Sequence, residues 1–171
     1  MTDFKKSVVY QIYPKSFYDT NGDGWGDLKG ITAKLDYIKT LGADYIWITP
    51  FFVSPQKDNG YDVEDYYRID PRYGSMEDFE ELCAEAKKSD IGLMLDMVFN
   101  HPSSRHQWFQ KALAGDPKYK NYYIFKKGPQ KGVPPTNWES KFGGSAWEYV
   151  EAFDEYYLHL FDVTQPDLNW D

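Results

Sequence analysis

Apolar residues along this chain follow two rhythms. Val8-Val9-Tyr10-Gln11-Ile12, Tyr45-Ile46-Trp47-Ile48-Thr49 and Leu93-Met94-Leu95-Asp96-Met97-Val98-Phe99 are short and nearly continuous, the pattern of strands buried on both faces. Between them the spacing turns helical. Ile31, Leu35, Ile38 and Leu41 share one stripe, closed by Gly42. Phe79, Leu82 and Ala86 share another, behind a Ser75 cap with Asp78 three residues on, a capping-box arrangement. The order strand, helix, strand, helix, strand predicts a parallel sheet covered by helices. A doubly wound sheet and a β/α barrel both satisfy it. Three features favour the barrel: the polar clusters follow strand C-termini, the first strand opens no Gly-x-Gly-x-x-Gly turn, and the loops after the second and third strands are long.

Past Asn100-His101 the periodicity fades. Residues 102–171 are rich in Tyr, Trp, Gly and Pro, with weak strand signals at Tyr122-Tyr123-Ile124-Phe125 and Tyr156-Tyr157-Leu158-His159-Leu160. The expected organisation is α/β: residues 1–101 as the first three β/α units, and residues 102–171 as an irregular subdomain inserted in the loop after the third strand. A closed barrel needs eight strands and roughly 250 residues. Three strands leave two open edges, so the chain reads as the N-terminal part of a larger (β/α)8 TIM barrel. The alternative is a small complete α/β domain.

Composition narrows the function classes. The formal net charge is -8, and no basic stripe offsets it, which argues against a nucleic-acid partner. Aromatic residues make up 19 %, with 15 Tyr and 6 Trp; amphipathic core packing and sugar-stacking platforms both account for that. Cys83, the single cysteine, excludes an internal disulfide, and its helical stripe marks it as a buried small hydrophobe. The Met1-Thr2-Asp3-Phe4-Lys5-Lys6-Ser7 start lacks the apolar stretch of a signal peptide, and no run is long enough to span a bilayer. A soluble, cytoplasmic protein with no membrane partner is expected.

Candidate chemistry begins at Asp19-Thr20-Asn21-Gly22-Asp23-Gly24-Trp25-Gly26-Asp27. Asp19, Asn21, Asp23 and Asp27 bring side-chain oxygens into one glycine-rich loop, and the Trp25 carbonyl can add another. That set suits a hard divalent cation, Ca2+ or Mg2+, in a structural role. It resembles the first half of an EF-hand loop but lacks the bidentate Glu at the twelfth position. After the second strand, Asn59-Gly60 forces a tight turn that fixes Asp58 and Tyr61; Asp58 can accept sugar hydroxyls and Tyr61 can stack on a ring. Asp96 in its apolar strand must be hydrogen-bonded, and so structural. His101, just past that strand, can bond a sugar hydroxyl while its other nitrogen is held by a neighbour. Retaining glycoside hydrolysis needs two carboxyl groups about 5 Å apart, and no convincing pair is present. Arg68-Ile69-Asp70 mimics an Arg-x-Asp nucleophile motif, but it precedes Pro71 within a loop and is read as a decoy.

With these residues in place the chain resembles the N-terminal part of the α-amylase superfamily of retaining glycoside hydrolases. Five ordered segments carry the resemblance over essentially the whole chain: Val9-Tyr10-Gln11-Ile12-Tyr13-Pro14, the Asp-rich loop, Asp58-Asn59-Gly60-Tyr61-Asp62, Asp96-Met97-Val98-Phe99-Asn100-His101 and Gln165-Pro166-Asp167-Leu168-Asn169. The last has the form of the oligo-1,6-glucosidase branch. The resemblance implies a β/α barrel with an inserted B domain after His101. It implies a Ca2+ or Mg2+ ion held by Asp19, Asn21, Asp23, Asp27 and the Trp25 carbonyl, and a glucosyl unit held by Asp58, Tyr61 and His101. The family's nucleophile, acid/base and third carboxylate would all lie beyond Asp171, so residues 1–171 alone are expected to grip a sugar without cleaving it. Lys15 stands where oligo-1,6-glucosidases usually have Arg. The stretch from Pro135 to Trp147 is similar to the trehalose-6-phosphate hydrolases, which implies a phosphorylated disaccharide as substrate. There Lys141 is either a phosphate partner or a solvated surface lysine. Other α-glucosides, as in oligo-1,6-glucosidases and sucrose isomerases, are the neighbouring expectation. A non-catalytic, metal-stabilised scaffold is the expectation from another class.

Overall fold

The computed structural model describes residues 4–171. They form two compact units: one runs up to Val53 and takes in Tyr66–Met97, and the other comprises Ser54–Asp65 and Val98–Asp171. This division departs from the expected break at 101/102. Residues 98–101 pack with the second unit, and so does the 54–65 loop.

The first unit opens with a 3-10 turn, Phe4–Lys6, followed by β1 (Val9–Ile12), α1 (Pro14–Phe17), α2 (Leu28–Ala33), α3 (Leu35–Thr40), β2 (Tyr45–Ile48), β3 (Phe52–Val53), β4 (Asp65–Ile69), α4 (Met76–Lys88) and β5 (Gly92–Leu95). The three long apolar runs become one parallel sheet in the order β1-β2-β5. Its register pairs Val9 with Tyr45 and Tyr45 with Gly92. Helices lie between successive strands in sequence, as the pattern predicts.

Full burial, however, is confined to parts of β1 and β2, and β5 has none. Ile12, Ile46 and Ile48 are inaccessible, whereas Val9, Trp47, Met94 and Leu95 are exposed. β1 and β5 are the outer strands, so each lacks a neighbour on one side among the described residues. The third run was expected to reach Phe99 and stops pairing at Leu95; Asp96 therefore follows the strand and is half-buried. It is satisfied as expected, since the Trp47 indole N–H donates to its carboxylate (3.3 Å).

The stripe from Ile31 to Leu41 forms two short helices rather than one. Lys34 leaves helical geometry (φ -109°, ψ 9°) and serves as C-cap of α2 and N-cap of α3. The break lets Leu28, Ile31, Leu35 and Ile38 all reach the same core. Gly30 sits where a Cβ would come within 2.1 Å of the Tyr18 carbonyl oxygen, so only glycine allows α2 this close. Gly42 ends the stripe at φ +78°.

The capping box at α4 is present: the Ser75 hydroxyl accepts from the Asp78 N–H and the Asp78 carboxylate accepts from the Ser75 N–H. Behind it Leu82 and Ala86 are buried in the core with Phe79 packed alongside. Each fully buried aliphatic side chain stabilises by roughly 1.5–3 kcal/mol. Cys83 is half-buried instead of buried, because its stripe position falls at the margin of the inward face; burial and Glu80 still push its thiol pKa up.

The second unit is more regular than its sequence suggests. It holds α5 (Gln107–Leu113), α6 (Pro117–Lys120), β6 (Phe125–Lys126), β7 (Trp147–Val150) and β8 (Glu155–Leu158). The three strands make an antiparallel sheet in the order β6-β8-β7. Aromatic pairing takes the place of an aliphatic core. The Phe109 ring meets those of Tyr123 (4.9 Å) and Tyr157 (5.0 Å) edge-on, an arrangement worth about 0.5–1.5 kcal/mol per pair beyond area burial. Much of the tyrosine richness thus belongs to packing. No helix among the described residues is long and apolar enough to cross a membrane.

Candidate functional site

In the second unit, the 54–62 loop is organised by a buried carboxylate. Asp62, fully inaccessible, accepts from the Ser54 hydroxyl (3.0 Å), the Lys57 N–H (2.9 Å) and the Asp58 N–H (3.0 Å). Gln56 (φ 62°) and Asn59 (φ 49°) take the left-handed turns this wrapping requires. The turn closes when the Tyr61 N–H bonds the Asp58 carbonyl (3.0 Å). Asp58 is thereby aimed by its neighbours, as the Asn59-Gly60 pair predicted.

The Asp58 side chain meets Gln165 from the far end of the sequence. The Gln165 amide nitrogen lies 2.9 Å from Asp58 Oδ2 and 3.1 Å from His101 Nε2. His101, 4 % exposed, also hydrogen-bonds the Tyr61 backbone. Asp58, Tyr61 and His101, proposed together from sequence, are therefore brought into one cluster. Burial pulls the His101 imidazole down to about 4, against the opposing pull of the Tyr61 and Asp62 partners, so it is neutral at pH 7.

Around this pair stands a shell that sequence reasoning left unassigned. Asn100 Nδ2 lies 3.0 Å from His101 Nδ1 and donates to the Asp167 carboxylate. Asp167 also accepts from the Leu160 N–H (2.5 Å), and burial pushes its carboxyl up. The Phe161 ring faces His101 at 5.0 Å. Gln165 and Asp167 belong to a segment quoted for resemblance alone; the signal that could have singled them out is two polar side chains around a proline beside an apolar stretch.

Lys141 is exposed, on a loop fixed close to this shell. Its N–H donates to the Leu160 carbonyl (2.8 Å), the Ser140 hydroxyl donates to the Phe161 carbonyl (2.6 Å), and the Phe142 ring meets that of Phe161 (6.2 Å). The loop is thus anchored to the residues that flank His101 while its cation stays in solvent.

The Asp-rich loop of the first unit is a separate arrangement. Asp19 accepts from the N–H groups of Asn21, Gly22 and Gly24. The Gly24 and Gly22 bonds hold its pKa below the ordinary carboxylate range. Asp23 accepts from the Trp25 N–H (2.8 Å) and Asn21 from the Asp23 N–H (2.9 Å). Asp27 is buried and caps α2, its oxygens taking Thr20 and Gly30 donors. Among the described residues, no three His, Cys, Asp or Glu side chains are grouped tightly enough to hold an ion. The donor set still suits a hard cation, since Asp19 Oδ2 and Asp27 Oδ1 each take one N–H and a carboxylate oxygen offers two lone pairs.

The Arg68-Ile69-Asp70 motif is structural. Asp70, 2 % exposed, forms a two-point pair with Arg72 (2.8 and 2.5 Å), whose guanidinium lies over the Trp25 ring (5.2 Å).

Known proteins match this chain closely over a limited part of their length. A trehalose-6-phosphate hydrolase of Bacillus subtilis is 61 % identical over 169 residues, covering 98 % of this chain and 30 % of the relative. An oligo-1,6-glucosidase of Heyndrickxia coagulans is 54 % identical, covering all of this chain and 31 % of the relative. The solved structure of a trehalose-6-phosphate hydrolase from Bacillus licheniformis superposes with a TM-score of 0.94 at 58 % identity, over 98 % of this chain and 30 % of that one. The chain thus spans about 30 % of the length of the curated relatives it matches. Residues 11–171 match the family described as Alpha amylase, catalytic domain, and the chain belongs to that family.

Proposed function

We propose that the protein carrying this chain is a retaining α-glucosidase that hydrolyses trehalose 6-phosphate to glucose and glucose 6-phosphate. The observation that carries the reading is the convergence of half-buried Asp58 with buried His101 and Gln165 from three distant segments, next to Tyr61. A carboxylate and a neutral imidazole set side by side offer hydroxyl groups both acceptor and donor positions, the chemistry a glucosyl unit requires. In this reading Asp58, Tyr61 and His101 hold that unit, and residues 1–171 supply sugar binding without bond cleavage. Exposed Lys141 pairs with the sugar phosphate as a point charge. The sequence likeness to the Bacillus subtilis hydrolase favours the phosphorylated substrate over isomaltose.

The reading extends to architecture and location. The parallel sheet is the start of a (β/α)8 barrel, residues 102–171 are its inserted B domain, and the protein is cytoplasmic. Asp19, Asn21, Asp23, Asp27 and the Trp25 carbonyl would hold Ca2+ or Mg2+; the ion would crosslink the loop and take no part in chemistry. The test is an assay of the full-length protein on trehalose 6-phosphate and on isomaltose. Glucose and glucose 6-phosphate are expected from the first, and Lys141→Ala should lower kcat/KM about tenfold on it alone, the worth of one charge-assisted contact. Purified 1–171 should release nothing from p-nitrophenyl α-glucoside. Failure of the full-length protein on every α-glucoside would sink the reading.

A further inference from the structure

We infer that His106 is a proton-sensitive latch in the second unit: its neutral imidazole caps α5 through Nδ1 and holds Phe109 in the aromatic core, and protonation of the ring releases that cap. The inference is independent of the substrate proposed above. The first N–H groups of a helix have no intrahelical partner. In α5 the His106 carbonyl accepts from the Phe109 N–H (3.0 Å) and the Gln110 N–H (3.1 Å), while His106 Nδ1 accepts from the Trp108 N–H (3.2 Å). A backbone N–H can only donate, so Nδ1 presents its lone pair and the one proton of the neutral ring is on Nε2. Ser, Thr, Asn or Asp usually fills this cap. None of them changes charge between about pH 5 and 8, whereas an imidazole does.

The backbone at His106 is fixed from behind. Its N–H donates to the Ser103 carbonyl (2.9 Å), and the Ser103 N–H donates to the Val63 carbonyl (2.7 Å). The residue is 5 % exposed, and its ring meets that of Trp108 edge-on at 4.9 Å. Ahead of it, Phe109 and Ala112 are buried, and the Phe109 ring pairs with those of Tyr123 and Tyr157. Protonation reverses the contact. Both ring nitrogens of a cationic imidazole donate, so an Nδ1–H would face the Trp108 N–H, and a cation would lie against the positive end of a helix. Among the described residues, Asp65, at the start of β4 and in the same unit, is the charged group whose field reaches the ring. Burial outweighs its pull toward the cation and holds the imidazole below its ordinary range. The capped, neutral form therefore prevails at pH 7, and release belongs below about pH 6.5.

The experiment is amide hydrogen exchange of the full-length protein, read by mass spectrometry on the peptides covering α5 and α4 and corrected for the intrinsic pH dependence of exchange. Between about pH 7 and pH 4, protection of α5 should fall at least tenfold more than that of α4 in the first unit. His106→Asn puts an oxygen where Nδ1 stands and cannot take up a proton, so it should abolish that differential loss. His106→Ala has no acceptor, and α5 should be less protected already at pH 7. The wild-type and His106→Asn profiles decide even where the alanine variant does not fold. A loss shared equally by α4, the same loss in His106→Asn, or full protection of α5 in a folded His106→Ala would each overturn the inference.

Discussion

The Asp-rich loop and the His101 cluster are both polar, yet they are built in opposite ways. The loop draws all its groups from nine consecutive residues, most of them exposed, and spends its carboxylates on its own N–H groups. The cluster draws Asp58, His101 and Gln165 from segments more than 40 residues apart, and His101 and Gln165 are almost out of solvent. Water can replace a lost partner in the first and cannot in the second. The lesson is that a short acidic motif reports which groups are available, while burial determines how much each one matters.

The largest effect is expected where that difference is sharpest. Asp62→Ala removes the acceptor for three donors of the 54–62 loop, and should cost about 4 kcal/mol, the sum of several buried polar groups losing this partner. Urea unfolding would measure it, with sugar binding lost in parallel. A cost under about 1 kcal/mol would place the cluster with surface loops.

Next in size is a pH effect. Folded His101 titrates near 4 against about 6.5 in the unfolded chain. Between those values the unfolded state binds more protons, so stability falls as pH drops. The loss amounts to about 3 kcal/mol if the full shift is expressed. His101→Gln should flatten much of the slope of urea midpoint against pH. His106, also held down by burial, should leave a residue. An unchanged slope would separate His101 from the buried cluster.

Smallest is the loop. If it binds calcium, an excess of about 100 times Kd adds about 2.7 kcal/mol, read as a rise in Tm that Asp23→Asn diminishes. Without added metal the same substitution should leave Tm within error, because Asp23 is exposed. No response to calcium or magnesium would reduce the loop to a hydrogen-bonded turn.

Legibility in the sequence tracked locality. The Ser75–Asp78 box was readable because both partners lie within one turn, and the three parallel strands because apolar runs announce themselves. The single helix expected over Ile31–Leu41 failed at Lys34, where packing against a shared core overrode periodicity. β6 to β8 were faint because aromatic residues serve turns and strands alike. Asp58, Tyr61 and His101 were singled out by their motifs, but nothing near Gln165 in sequence states that its amide lies between Asp58 and His101.

The sequence by itself determined what is short-range: caps, turns, the parallel alternation of strands and helices, and a row of hard oxygen donors, since each depends on neighbours a few bonds away. Only the tertiary structure decided which strand residues are buried, where the compact units divide, and which amide faces the imidazole. Those outcomes depend on exclusion of water by groups distant in the chain, and that exclusion exists only once the chain has folded.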